Sequence, residues 1–168
     1  MRAARPLSVL IALLAAGGVA AEHGDHGAHA QKGDHEVALF LGVTDDRGMD
    51  AFTWGLEYPY QFTDRVAGGA FFDKTEGDLR MSVLGGAFYY KPLPRLALMI
   101  GPAVERLEPM PDGGHGENAE TETELLLRVG VLYGFPVAAR VSILPALYAD
   151  FVDGETVWVG GADVAFSF

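Results

Sequence analysis

From residue 35 onward, apolar and polar residues alternate along the chain. Period two is the signature of strands that present different faces to different surroundings. Eight segments carry it. They are "VALFLGV" (37–43), "AFTWGLEYPY" (51–60), "RVAGGAFFD" (65–73), "LRMSVLGGAFYY" (79–90), "RLALMIGPAVE" (95–105), "ELLLRVGVLY" (124–133), "ARVSILPALYADF" (139–151) and "VWVGGADVAFSF" (157–168). Most reach the about 9–11 residues with which a tilted strand crosses a bilayer core. In the last segment Trp158, Gly160, Ala162, Val164, Phe166 and Phe168 share one face, and Asp163 lies on the other. An apolar face looking outward and a charge looking inward is the arrangement of a closed barrel in lipid.

The connections alternate in character. "QFTDR", "KPLPR" and "GFPVA" are short, whereas "TDDRGMD", "DKTEGD", "EPMPDGGHGENAETET" and "FVDGET" are acidic and contain glycine. Up-and-down order places the first set on one side of the sheet and the second on the other, as four longer outer loops. Aromatics sort with them. Tyr58, Tyr60, Phe62, Phe88, Tyr89, Tyr90, Tyr133, Phe135, Phe166 and Phe168 fall near the short turns, and Phe52, Trp54, Phe72, Phe151 and Trp158 near the long loops. Two aromatic belts fit two membrane–water interfaces. The expected fold is an all-β, eight-stranded antiparallel up-and-down transmembrane β-barrel. A water-soluble eight-stranded barrel or sandwich would alternate too, but has no reason to sort its loops and aromatics.

Composition adds three points. The formal net charge of −11 argues against nucleic acid as a partner. No cysteine is present, which excludes disulfides, thiolate metal sites and a lipid-anchoring cysteine. Residues 1–21, with "MRAARP", "LSVLIALLAAGG" and a small-residue site at Val19-Ala20-Ala21, predict a cleaved signal peptide. The polar stretch 22–34, "EHGDHGAHAQKGD", predicts a His-rich disordered periplasmic tail ahead of the barrel at 35–168.

The pattern over roughly residues 35–168, closing on "ADVAFSF", resembles the small eight-stranded outer-membrane proteins of Gram-negative bacteria. Within that class, "GLEYPYQFTDRVAGGAFF" and "LLLRVGVLYGF…DFVDGETVWVGG" look like an uncharacterised family with no known activity. The resemblance implies residence in the outer membrane as a monomer. Outer-membrane lipid and lipopolysaccharide are then partners. It also implies that the barrel-assembly machinery reads Val164, Phe166 and Phe168 as a C-terminal signal.

Candidate chemistry is sparse. The inward phase includes Glu57, Asp73, Glu105, Arg128, Arg140, Tyr148, Asp150 and Asp163. Arg80 joins them in one phase of a strand whose phase is ambiguous. Buried charges must be paired or solvated, so a structural ion-pair network is the first reading and a polar path for a small solute the second. His23, His26 and His29, with His35 as a fourth ligand, predict weak binding of Zn²⁺, Cu²⁺ or Ni²⁺. That binding should weaken below about pH 6.5 as imidazole protonates. Titration calorimetry with and without residues 22–34 measures it, and equal affinity would refute it. His115 and its acidic neighbours offer oxygen ligands for Ca²⁺ or Mg²⁺ in a long loop. Ser82 with His115 is the one serine–histidine pairing compatible with the topology. That is too little to predict an enzyme, and the expected role is non-enzymatic. It is structural or surface-interacting through acidic loops, with a narrow passive channel as the alternative and a lipid-modifying acyl hydrolase behind it.

Overall fold

The computed structural model describes residues 35–77, 79–107 and 122–168. These form β1 (Glu36–Asp46), β2 (Met49–Thr63), β3 (Val66–Thr75), β4 (Met81–Leu93), β5 (Leu96–Leu107), β6 (Glu122–Tyr133), β7 (Phe135–Ala138), β8 (Val141–Val152) and β9 (Glu155–Ser167). Every neighbour pair is antiparallel. The sheet runs β6-β5-β4-β3-β2-β1-β9-β8-β7, and β6 also pairs with β8, so it closes on itself. β6 and β7 are two pieces of one barrel strand interrupted at Gly134, whose amide donates instead to Arg95 O at 2.7 Å. The result is a closed eight-strand antiparallel barrel.

Alternation sends every second residue to each side. On β5, Leu98, Ile100 and Val104 are exposed outward while Ala97, Met99 and Ala103 are buried inward. The outer face carries large apolar side chains around the whole circumference, among them Leu39, Leu56, Leu84, Leu125, Ile143 and Val164. Closing the sheet removes its free edges and satisfies the backbone within lipid. The interior is tapered by pairing large with absent side chains. A Cβ at Gly130 would stand 2.3 Å from the Tyr148 ring, and one at Gly85 would stand 2.6 Å from Phe71. Phe40 fills the space left by Gly42 and Gly161.

The seam where β1 meets β9 is held by main chain and by side chains. Phe168 N donates to His35 O at 2.9 Å, and Ser167 Oγ to Glu36 Oε2 at 3.0 Å.

Two expectations about the hairpins are corrected. The stretches around 44–50 and 151–156 are not long loops. β1–β2 turns on Arg47-Gly48 and β8–β9 on Asp153-Gly154, all four residues with positive φ. Residue pairs of this left-handed kind make two-residue turns that match strand twist, and Asp-Gly is a strong signal for them. The acids Asp45, Asp46, Asp50 and Glu155 therefore sit on strand ends beyond the apolar belt. Residues 108–121, with His115, lie outside the described residues.

Candidate functional site

β2, β3, β6, β8 and β9 each turn a charged residue inward, Glu57, Asp73, Arg128, Asp150 and Asp163, and those of β3 and β8 meet at Arg128. Its Nε donates to Asp150 Oδ1 at 2.7 Å and its Nη2 to Asp150 Oδ2 at 2.8 Å. This is a two-pronged contact with the directly opposed residue on β8. Nη1 donates to Asp73 Oδ2, across the barrel on β3. Asp73 has room because its neighbour on β2 is Gly55, where a Cβ would fall 1.9 Å from Asp73 Oδ1. The guanidinium also lies 4.6 Å from the centre of the Phe71 ring and 5.1 Å from that of Tyr148. Charge pairs and ring faces together replace the water that Arg128 gives up.

A second group sits beside the first. Tyr89 Oη donates to Glu57 Oε2 at 2.9 Å. Tyr148 Oη lies 3.0 Å from Glu57 Oε1 and 3.3 Å from Asp163 Oδ2, one hydroxyl proton between two carboxyls. Phe40 packs edge-on against Tyr148 at 5.7 Å between ring centres. Above it Thr44, Thr53 and Thr75 join hydroxyls across β1, β2 and β3, with 2.6 Å and 2.9 Å between successive pairs.

Seven of the proposed interior residues are brought together in this way or lie close by: Glu57, Asp73, Glu105, Arg128, Tyr148, Asp150 and Asp163 are all buried. Two are not. Arg80 is exposed in the hairpin before β4, where positive φ turns the chain ahead of the strand. Arg140 is exposed in the turn before β8, because that strand begins at Val141 and the alternation does not reach back to it. Among the described residues five buried carboxyls therefore face one buried cation. Asp73 Oδ1, Glu105 Oε2 and Asp163 Oδ1 have no hydrogen-bond partner.

Tyr89, expected in an aromatic belt, is instead an interior donor. Gly85-Gly86 weakens the alternation of β4 and obscures its phase, but the paired register of Asp73 with Val83 settles it. The threonine trio carries no charge to mark it: Thr44 and Thr75 lie just beyond the alternating segments 37–43 and 65–73, and Thr53 is a lone hydroxyl within 51–60.

His35 bridges to Tyr60 on β2. Its Nδ1 lies 2.6 Å from Tyr58 Oη, and its ring stacks on Phe168. Nε2 is the nitrogen left for any other ligand. His23, His26 and His29 are outside the described residues, as is the rest of 1–34. Among the described residues no three His, Asp or Glu side chains are grouped to hold a metal ion. Ser82 faces outward on β4, and Val164, Phe166 and Phe168 form an outward stripe at the end of the chain.

No protein-family model matches the chain, and no curated protein matches it in sequence. Solved structures do. The N-terminal β-barrel domain of Pseudomonas aeruginosa OprF is 15% identical with a TM-score of 0.60, over 82% of this chain and 100% of that one. The Yersinia pestis outer-membrane protein Ail, in a phospholipid nanodisc, is 12% identical with a TM-score of 0.52, over 79% and 99%. The chain has the fold of the small outer-membrane β-barrels. A de novo designed transmembrane barrel matches as well, 14% identical with a TM-score of 0.51 over 82% and 97%. A designed sequence shares the architecture, so the fold follows from alternation and closure and carries no function with it.

Proposed function

We propose that this protein is a sealed, non-enzymatic barrel of the outer membrane that acts through the surface it presents there. The observation that carries the reading is the filled cross-section at Arg128. That side chain, Tyr148, Phe40 and Phe71 are each 1% exposed. Eight strands enclose only enough space for side chains. Here bonded and stacked groups from β1, β3, β6 and β8 occupy it. The placement in the outer membrane is supported by the apolar outer face and by the two fold relatives from bacterial outer membranes. Val164, Phe166 and Phe168 then serve assembly, and the acidic hairpin ends Asp45, Asp46, Asp50 and Glu155 serve contact.

A narrow cation path is the competing reading. It draws on the unbonded carboxylate oxygens of Asp73, Glu105 and Asp163. Recording from the folded protein in planar bilayers separates the two. The expected trace has no steps above bare bilayer, and steady cation-selective steps would replace the sealed reading with the channel.

A further inference from the structure

Charge on the outer wall is not distributed evenly. Lys74 on β3 pairs with Ser82 on β4, Ser82 with Arg106 on β5, and Arg106 with Thr123 on β6. All four positions belong to the outward phase. They form one register row, perpendicular to the strands, across four of them. Trp54 extends the row on β2, paired with Lys74. Two residues along each strand toward the barrel middle lies a wholly apolar row, Leu56, Phe72, Leu84, Val104 and Leu125, in register with each other. The polar row thus lies roughly 7 Å farther along the strands at the rise of about 3.3 Å per residue. Trp54 and Phe72 meet edge-on at 6.0 Å between these two rows, where an aromatic interface belt belongs.

Four residues farther along β2, toward its hairpin with β1, the neighbouring sector is acidic. Asp45 on β1 stands directly opposite Asp50 on β2, again in the outward phase. In a chain with net charge −11, cations are the rarer sign. Two of them nonetheless share one register row at the edge of the apolar belt, and exposed Arg80 adjoins it in the hairpin before β4. Among the described residues Arg106 makes no ion pair. Long cationic side chains at this depth lay their stems on apolar surface and lift their charge to headgroup level.

We propose that the outer wall over β3–β5 holds the phosphate groups of a phosphorylated glycolipid of the outer leaflet. Lys74 and Arg106 supply charge, and the Ser82 hydroxyl supplies a hydrogen bond between them. Strands about 4.8 Å apart place these three Cα atoms within roughly 10 Å, a span that one headgroup covers. Arginine's planar fork suits a phosphate, and lysine adds a point charge. The flanking Asp45–Asp50 sector repels the same headgroup, which gives the barrel a preferred side. The leaflet rests on the proposed orientation, with the β1–β2 and β8–β9 hairpins outside.

Protein extracted in folded form from membranes is titrated in nonionic detergent with lipid A, with dephosphorylated lipid A, and with inorganic phosphate. Binding to lipid A is expected, at least about tenfold weaker binding to the stripped lipid, and none to inorganic phosphate at the same concentration. The double variant Lys74→Gln, Arg106→Gln should lose roughly tenfold or more, each charge near a lipid surface contributing about fivefold. Arg65→Gln with Arg95→Gln, in turns at the other end of the barrel, should keep wild-type binding. Heat-dependent gel migration confirms that both variants are folded. Equal binding to the two lipids, or equal losses in the two double variants, would overturn the proposal. Saturation by inorganic phosphate would also overturn it, in favour of a bare anion site. Because the chain has no cysteine, Asp153→Cys can be labelled in intact cells with a membrane-impermeant reagent. Labelling supports the orientation. An unlabelled cysteine beside intact lipid selectivity would overturn the leaflet and leave the phosphate site standing.

Discussion

The Arg128 layer and the His35–Phe168 seam both tie together strands distant in sequence, yet they do so by opposite means. In the layer, one side chain bonds β3 and β8 from β6, and all partners are buried. At the seam, Tyr58, Tyr60 and Phe168 surround His35, while Phe168 is 51% exposed and main-chain pairing of β1 with β9 already fixes the register. A buried charge concentrates its energy in one place, since removing it strands its partners away from water. An exposed aromatic cluster spreads a smaller energy over several contacts, each replaceable by lipid or solvent. The interior is therefore the vulnerable region of this barrel, although the seam is where the sheet closes.

The sharpest test of that contrast is Arg128→Met. It leaves Asp73 and Asp150 buried without a counter-charge, and should cost about 3–5 kcal/mol in urea unfolding of the folded protein, followed by Trp54 and Trp158 fluorescence. Adding Asp73→Leu and Asp150→Leu should recover most of the loss, because an apolar set of similar volume needs no pairing. A single variant that lost less than about 1 kcal/mol, the scale of an exposed ion pair, would place the layer in the same class as the seam.

That the barrel has such an interior could be read from the chain, but its composition could not. Glu57 and Asp163 sit in unbroken alternation, so their direction follows from their neighbours. Arg140 and Arg80 lie just outside strands, where alternation says nothing and a displaced strand end reverses the answer. The same end effect hid the two-residue turns at Arg47-Gly48 and Asp153-Gly154, since acidic residues on protruding strand ends look like loop sequence. Tyr89 was obscured differently. In "GGAFYYK" consecutive aromatics occupy both faces. Only the pairing with β3 tells which of them points in. Losing Arg80 and Arg140 from the interior changes its chemistry, because among the described residues five buried acids are left with one cation in place of three.

Tyr89→Phe probes the half of the interior that holds no cation, with an intermediate effect. The ring and its packing remain, and Glu57 Oε2 loses its donor. An unsatisfied buried acceptor costs about 1–3 kcal/mol, readable in the same unfolding experiment. The effect should be smaller than for Arg128→Met because Tyr148 still reaches Glu57 Oε1. If Tyr89→Phe matched the loss from Arg128→Met, hydroxyls rather than the ion pairs would be holding the layer.

The smallest expected change belongs to His35→Ala. It removes the stack on Phe168, at 5.8 Å between ring centres and 15° between planes, and the contact of Nδ1 with Tyr58 Oη. An aromatic pair contributes about 0.5–1.5 kcal/mol and a hydrogen bond about 1 kcal/mol beyond that when buried. Exposure reduces both, so the sum should fall near 1 kcal/mol. The main-chain bond from Phe168 N to His35 O survives the substitution, because it uses the carbonyl and not the ring. His35→Phe keeps the stack and drops only the Tyr58 contact, and should therefore lie between His35→Ala and wild type. If His35→Ala instead destabilised the barrel as severely as Arg128→Met, the ring cluster would be the fastening that keeps β9 on β1. The backbone ladder alone would then be too weak to close the sheet, and the energetic distinction between an exposed seam and a buried charge would not hold for this protein.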